Sequence, residues 1–353
     1  MKAALLYENK GELVIENIEE PKIVEGEAIV KVKACGICHT DLNIIDGIIK
    51  PPRYPHILGH EIAGDIVECK PATQQEKELI KLIESDYSGR VIIYFYITCG
   101  RCRFCLKGDD NLCNFFKRIG FEEWGGYAEY VKVPIKNLIP LPKKLDYNAA
   151  ILVDAGATTY RALRKINPKP GNSIAIIGIG GLGSMALQLA KIFGLTVLAL
   201  DIYNSKLEYA KKLGADCTLN LSEFKTKTEN IGSIVKDLMN IDDGVDAVID
   251  TVGISETLNI AMAILKRCGV IIILGYGKEK TVSLPIIKTI YEEYRIEGSR
   301  AATKWEVVEV LNLASRGMIH PLVTREYRLD EVNKALNDLR RGEILGRAIL
   351  KFF

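Results

Sequence analysis

Two textures of hydrophobic patterning divide the chain near residue 153. Before that point apolar residues come in short runs or alternate with polar ones. Ala28-Ile29-Val30-Lys31-Val32-Lys33 has the period of two that a half-buried strand requires. Pro21, Gly26, Gly47, Pro51, Pro52, Pro55 and Gly59 punctuate the region, which predicts short strands joined by turns. Residues 74–85 instead carry helical spacing and predict a short amphipathic helix between strands. Beyond residue 153, solid apolar runs alternate with helical segments. Strands are expected at 173–177, 196–200, 217–219, 245–249, 270–274 and 294–297. Helices are expected at 184–193 and 206–213, closed by Gly194 and Gly214, and near 231–239 and 256–267. Six strands with crossover helices predict an α/β unit, a doubly wound parallel sheet of Rossmann type. After about residue 300 the chain returns to helix and strand, and it contains no internal repeat.

The first of those strands runs into Gly178-Ile179-Gly180-Gly181-Leu182-Gly183. In such a turn Gly178 permits the tight bend, Gly180 lets the backbone approach a pyrophosphate, and Gly183 lets the helix pack on the sheet. The helix N-terminus adds roughly half a positive charge. Asp201, at the end of the second strand, lies where a carboxylate accepts the ribose hydroxyls of a dinucleotide. Its charge repels a 2′-phosphate, which favours NAD(H) over NADP(H); Lys206 nearby tempers that preference.

Metal chemistry is concentrated in the first region. Cys99-x-x-Cys102-x-x-Cys105, followed by Cys113, offers four thiolates and no open position, the pattern of a structural zinc. The final gap fits neither ferredoxin spacing. Cys38 and His60 are candidate ligands of a second, catalytic zinc, which ordinarily has three protein ligands and one open place. Local spacing does not identify the third. Thr40, two residues past Cys38, is placed to pass on an alcohol proton, and Asp41 and Glu61 to orient the ligands.

Composition narrows the function class. The chain has 353 residues, long enough for two cores, and its 48% hydrophobic and 26% charged content is that of a soluble globular protein. A net charge of +2 with scattered Lys and Arg gives no electrostatic case for nucleic acid. No apolar run reaches the ~20 residues of a membrane helix, and an acid at Glu8 argues against a signal peptide. Of nine cysteines, five sit in the metal motifs, which points to metal ligation in a reducing cytoplasm; Cys35, Cys69, Cys217 and Cys268 are expected to pack as small hydrophobes.

With these pieces assembled, the chain resembles the zinc-dependent alcohol dehydrogenases of the medium-chain dehydrogenase/reductase family, and its Ile- and Lys-rich composition is of thermophile type. The likeness covers nearly the whole chain. It is carried by Ala-Cys-Gly-Ile-Cys-His-Thr-Asp at 34–41, Gly-His-Glu at 59–61 and the cysteine loop at 99–113. Gly-Gly-Tyr-Ala-Glu-Tyr at 125–130, Ala-Gly-Ala-Thr-Thr-Tyr at 155–160, the glycine turn and Gly346-Arg347 complete it. The resemblance implies a GroES-like catalytic β domain over 1–153, an NAD-binding Rossmann domain over 154–298, and a segment 299–353 that returns to the catalytic domain, with a cleft holding the catalytic zinc. It implies that Cys38 and His60 bind that zinc, that Thr40 relays a proton, that His39 and Arg347 meet the cofactor phosphates, and that Thr158 meets the nicotinamide. It also implies dimers paired into tetramers.

Two departures matter. The family usually has a cysteine where this chain has Asp154, just before Ala155-Gly156. A carboxylate keeps the formal charge of the site and is a harder donor, so Asp154 is favoured as third ligand, with Glu61 the alternative. Asn43 stands where many relatives carry the histidine that ends the relay, and Asn does not titrate near neutral pH. The expected activity is reversible NAD-dependent oxidation of primary or secondary alcohols by zinc-assisted hydride transfer, with two zinc ions per chain and an alcohol or carbonyl compound as partner. The rivals are a polyol or sugar dehydrogenase of the same family, motivated by Asp154, and a silent NAD-binding structural or sensor protein. Tyr96, Phe121 and Trp124 are candidates for the substrate cleft.

Overall fold

The structure is a computed structural model that describes residues 1–224, 230–277 and 279–353. It divides into two compact units, one made of Met1–Ala157 and Ala302–Phe353, the other of Thr158–Ala301.

The first unit is built on a mixed seven-stranded sheet. Its long central strand, Glu27–Ile37, pairs antiparallel with Glu61–Lys70, with Tyr130–Pro134 and with Arg347–Lys351. Arg347–Lys351 in turn pairs parallel with Val323–Tyr327, so strands from the C-terminal segment complete a sheet begun by residue 27. Val30, Val32, Ile62, Val91 and Ile349 in these strands are fully buried. The helix predicted at 74–85 spans Gln74–Tyr87. Thr73 accepts the Glu76 N–H and Glu76 accepts the Thr73 N–H, and Ser88 ends the helix in the left-handed region.

The second unit is a six-stranded, all-parallel sheet. In spatial order its strands are Cys217–Asn220, Thr196–Asp201, Ser173–Ile177, Val245–Asp250, Leu265–Ile273 and Arg295–Gly298, chain order 3-2-1-4-5-6. That order reverses direction beside the first strand, the place where dinucleotides bind in such sheets. All six expected strands are present. The helix after the glycine turn starts at Gly181, earlier than expected, because Gly180 takes the extended capping conformation. The helix expected at 256–267 stops at Ile264, where Leu265 turns extended and joins the sheet. Cys268 is exposed with a positive φ of 59°, a turn position that corrects the expectation of a packed thiol.

Candidate active site and metal centres

Cys38 sits where the central strand gives way to the helix His39–Ile45. Asp41, in the first turn, folds back so that its Oδ2 accepts the Cys38 N–H at 2.9 Å, which fixes the thiol at the helix mouth. His60 lies between Gly59 and the strand Glu61–Lys70, and Asp154 follows the short helical stretch Tyr147–Val153. These three side chains converge. Donor atoms of Cys38, His60 and Asp154 lie within 4.8 Å of one another. Asp154 Oδ2 is 3.5 Å from His60 Nε2 and 3.8 Å from Cys38 Sγ. Ligands at tetrahedral angles and ordinary zinc bond lengths stand ~3.3–3.8 Å apart, so the donor set fits zinc in size and in chemistry. Burial alone lowers the pKa of His60, but the carboxylates of Asp154 and Asp41 outweigh it and hold the value well above the ordinary one. The cluster has the donors that could hold a metal ion.

Glu61, the alternative ligand, is outside that cluster. Its carboxylate is fully buried and paired with the Arg347 guanidinium. Arg347 is thus half of an internal ion pair; two opposite charges this deep are retained because each would be costly alone. The Thr40 hydroxyl lies 3.6 Å from Cys38 Sγ, beside the donor cluster. His39 is exposed and Asn43 half-buried.

The rings around His60 are Phe95 and Phe121, with centroids 5.2 and 5.1 Å away. Phe121 is among the residues expected near a cleft; Phe95 is not, and its signal is its place inside the apolar run 91–97 that leads to Cys99. Tyr96 packs on Phe95 at 4.7 Å, and Trp124 lies under the Arg53 guanidinium.

The four cysteines 99, 102, 105 and 113 form a second cluster, again within 4.8 Å. Cys102 and Cys105 sulfurs are 3.6 Å apart, and Cys99 and Cys105 4.0 Å, against roughly 3.8 Å in a tetrahedral four-sulfur zinc site. Backbone N–H groups of Cys99 and Phe115 point at Cys113 Sγ, each at 3.3 Å. The backbone N–H of Cys105 helps draw the Cys102 thiol down to about 6, while burial pushes Cys105 up to about 12. With four ligands and no open place, this cluster can hold a metal but not expose it to substrate.

The dinucleotide turn has the geometry its glycines require. Gly178 has φ +87°, and a Cβ on Gly183 would lie 1.9 Å from the Gly178 carbonyl oxygen. Gly181 and Leu182 form the first turn of the helix. Asp201 is buried; its Oδ2 accepts the Ile179 N–H at 2.7 Å and its Oδ1 the Tyr203 N–H at 3.0 Å. Each oxygen retains a lone pair for a ribose hydroxyl. Lys206 places its ammonium 4.9 Å from the Tyr203 ring centre, and Thr158 is buried in the same unit.

Residues 24–143 match the alcohol dehydrogenase GroES-like domain, and residues 181–316 match the zinc-binding dehydrogenase domain. An alcohol dehydrogenase of Geobacillus stearothermophilus is 38% identical over 99% of both chains. The chain belongs to the zinc-dependent alcohol dehydrogenases of the medium-chain dehydrogenase/reductase family. An NAD-dependent alcohol dehydrogenase of Sulfolobus acidocaldarius is 35% identical over 99% of both chains. The crystal structure of the alcohol dehydrogenase of Aeropyrum pernix shares 33% identity, covers 100% of both chains and superposes with a TM-score of 0.86. Within this family, Asp154 makes the donor set of this dehydrogenase one thiolate, one imidazole and one carboxylate.

Proposed function

We infer that the enzyme interconverts primary or secondary alcohols with aldehydes or ketones, using NAD and a zinc held by Cys38, His60 and Asp154. The observation that carries this reading is the convergence of those three donors beside the Thr40 hydroxyl. When bound, zinc supplies Lewis acidity toward the substrate oxygen and NAD takes up the hydride. Cys38 and Asp154 balance the metal's charge. His60 completes the ligand set, and Phe95 and Phe121 give it a low-dielectric wall that strengthens every charge interaction inside. Thr40 accepts the alcohol proton. Asn43 cannot take that proton further, because its amide does not titrate near neutral pH; bound NAD would supply ribose hydroxyls to continue the path. Thr158, His39 and the turn Gly178, Gly180, Gly181, Leu182, Gly183 contribute to the cofactor site, and Asp201 selects NAD by charge.

The four-cysteine lobe holds the second, structural zinc. Metal analysis tests both assignments: two zinc ions per chain are expected, and one would favour the silent reading. A panel from ethanol and benzyl alcohol to sorbitol and glucose with NAD⁺ then separates the simple-alcohol reading from the polyol or sugar reading, which the Asp154 carboxylate favours.

The enzyme is a homo-oligomer in this reading, dimers pairing into tetramers, located in the cytoplasm. The outermost strand, Arg295–Gly298, presents an open sheet edge. The helix Ile286–Tyr291 beside it in sequence exposes Ile286, Ile287, Ile290 and Tyr291 at 66, 75, 66 and 80%. So much bare apolar surface favours a two-fold mate. Light scattering that finds a monomer at working concentration refutes it. No described helix is long and apolar enough to cross a membrane, and all nine cysteines are free thiols.

A further inference from the structure

We propose that Tyr127 is a positioning residue for the catalytic metal, acting through Asp41 on His60. Its ring is fully buried and its hydroxyl donates to Asp41 Oδ2 at 2.8 Å. The same oxygen accepts the Cys38 N–H at 2.9 Å. Two donors on one oxygen fix the plane of the carboxylate and turn Oδ1 toward His60 Nδ1, 3.6 Å away. Both facing atoms are buried and otherwise without a hydrogen-bond partner. The separation is long for a hydrogen bond, but it is the arrangement that tightens once His60 is pinned through Nε2. A carboxylate behind a ligating imidazole fixes its tautomer and its orientation. Here that carboxylate is itself held in place, from one side by the ligand Cys38 and from the other by Tyr127.

The ring has a further anchor. Gly59, the residue before His60, has φ +93°, and a Cβ there would lie 2.5 Å from the Tyr127 ring. Backbone hydrogen bonds from Tyr127 to Leu58 and from Ala4 to Tyr127 hold the same stretch. Tyr127 therefore touches both the backbone that carries His60 and the carboxylate that orients it. A phenylalanine would keep the first contact and lose only the second, so the hydroxyl can be tested by itself.

The inference rests on the reading of Cys38, His60 and Asp154 as a zinc site. Tyr127→Phe should keep the fold and two zinc ions per chain, with a thermal midpoint close to wild type. Loss of an outer-shell partner typically costs 10–100-fold in metal affinity, and a group one step further out a part of that, so zinc should leave the catalytic site roughly 3–10-fold faster under a competing chelator. The four-cysteine zinc should leave at the unchanged rate. With cobalt in the catalytic site, the visible d–d band should shift or broaden, which a purely structural role would not produce. In the Asp41→Asn background, Tyr127→Phe should have at most a small further effect, because the hydroxyl acts through that carboxylate. Wild-type protein with two zincs and a Tyr127→Phe variant within twofold of it, with an unchanged cobalt spectrum, overturns the inference alone. An undiminished effect in the Asp41→Asn background overturns it as well. Wild-type protein holding only the four-cysteine zinc overturns both the inference and the metal-site reading beneath it.

Discussion

Replacing Asp154 with alanine removes one of three donors from the proposed catalytic centre and leaves Cys38 and His60 alone with whatever water supplies. Four-ligand zinc sites in small peptides bind with about 10–16 kcal/mol, so a single ligand is worth about 2.5–4 kcal/mol, or roughly 10²–10³-fold in affinity. The Asp154 side chain keeps 14% of its surface, so water reaches the vacated place and the lower end of that range, about 10²-fold, is expected. A second effect acts in the same direction. Asp154 is the strongest influence raising the His60 pKa, and it lies 3.5 Å from Nε2, so its loss removes the charge that pre-aligns the imidazole. Zinc content by mass spectrometry after dialysis against a graded chelator reads the affinity, and NAD⁺-linked alcohol oxidation reads the consequence. The variant should drop to one zinc per chain at chelator levels that leave wild type with two, and turnover should fall with the metal. Asp154→Cys should retain both zincs. Two tightly held zincs and near-normal turnover in Asp154→Ala would sink the assignment and move the role to Glu61, where Glu61→Gln would then show the loss.

Three further outcomes follow from the same geometry. Cys102→Ser should lower the thermal midpoint or break the oligomer while the surviving protein keeps its turnover; an unchanged midpoint with collapsed turnover would contradict a structural zinc there. Asp201→Ala should weaken NAD⁺ binding by about 1–3 kcal/mol and relax discrimination against NADP⁺, measured by calorimetric titration, and a wild-type preference for NADP⁺ would rule the role out. Asp246, partly buried and bonded to the Ser173 N–H at 2.7 Å, the Ser173 hydroxyl at 2.9 Å and Asn172 Nδ2 at 3.0 Å, has its pKa lowered: burial works against this, but Lys266 and Ser173 prevail. A depressed carboxylate stabilises fully above its unfolded value of about 3.9 and loses that contribution as pH falls through the lower folded value. Asp246→Ala should therefore cost about 1–2 kcal/mol at pH 7, and the gap in calorimetric midpoint should narrow as pH falls below about 3.9; a gap independent of pH would refute it.

The Rossmann sheet was legible because its strands are buried on both faces and announce themselves as apolar runs such as Ile174–Ile177 and Val197–Leu200. Element ends were less so. Whether the helix begins at Gly181 or at Ser184 depends on the conformation of Gly180, which a glycine does not declare. The four-cysteine cluster was readable from spacing because its members span a single short loop. The other centre was not, since Cys38 and Asp154 are 116 positions apart and meet only through the fold. Family likeness narrowed the third ligand to two carboxylates, and the ion pair with Arg347 that separates Glu61 from the donor cluster links positions 286 apart. Phe95 and Tyr127 do not stand out in the sequence for a related reason: both sit in contexts where an aromatic residue is ordinarily core.

That Arg347–Glu61 connection bears on how the protein is made. The strand Arg347–Lys351 seals the sheet beside Glu27–Ile37, yet it leaves the ribosome 286 residues after Glu61. At 5–20 residues per second the interval is roughly 15–60 s. During it the internal nucleotide-binding unit emerges whole and can complete itself, while the unit that began first waits with an open sheet and an unpaired glutamate. The two metals consequently run on different clocks. The cysteine lobe closes within fifteen residues, Cys99 to Cys113, and can capture zinc early in translation. The proposed catalytic donors are spread more widely, Asp154 lying 116 positions after Cys38, so that site can assemble only after the cysteine lobe has been made.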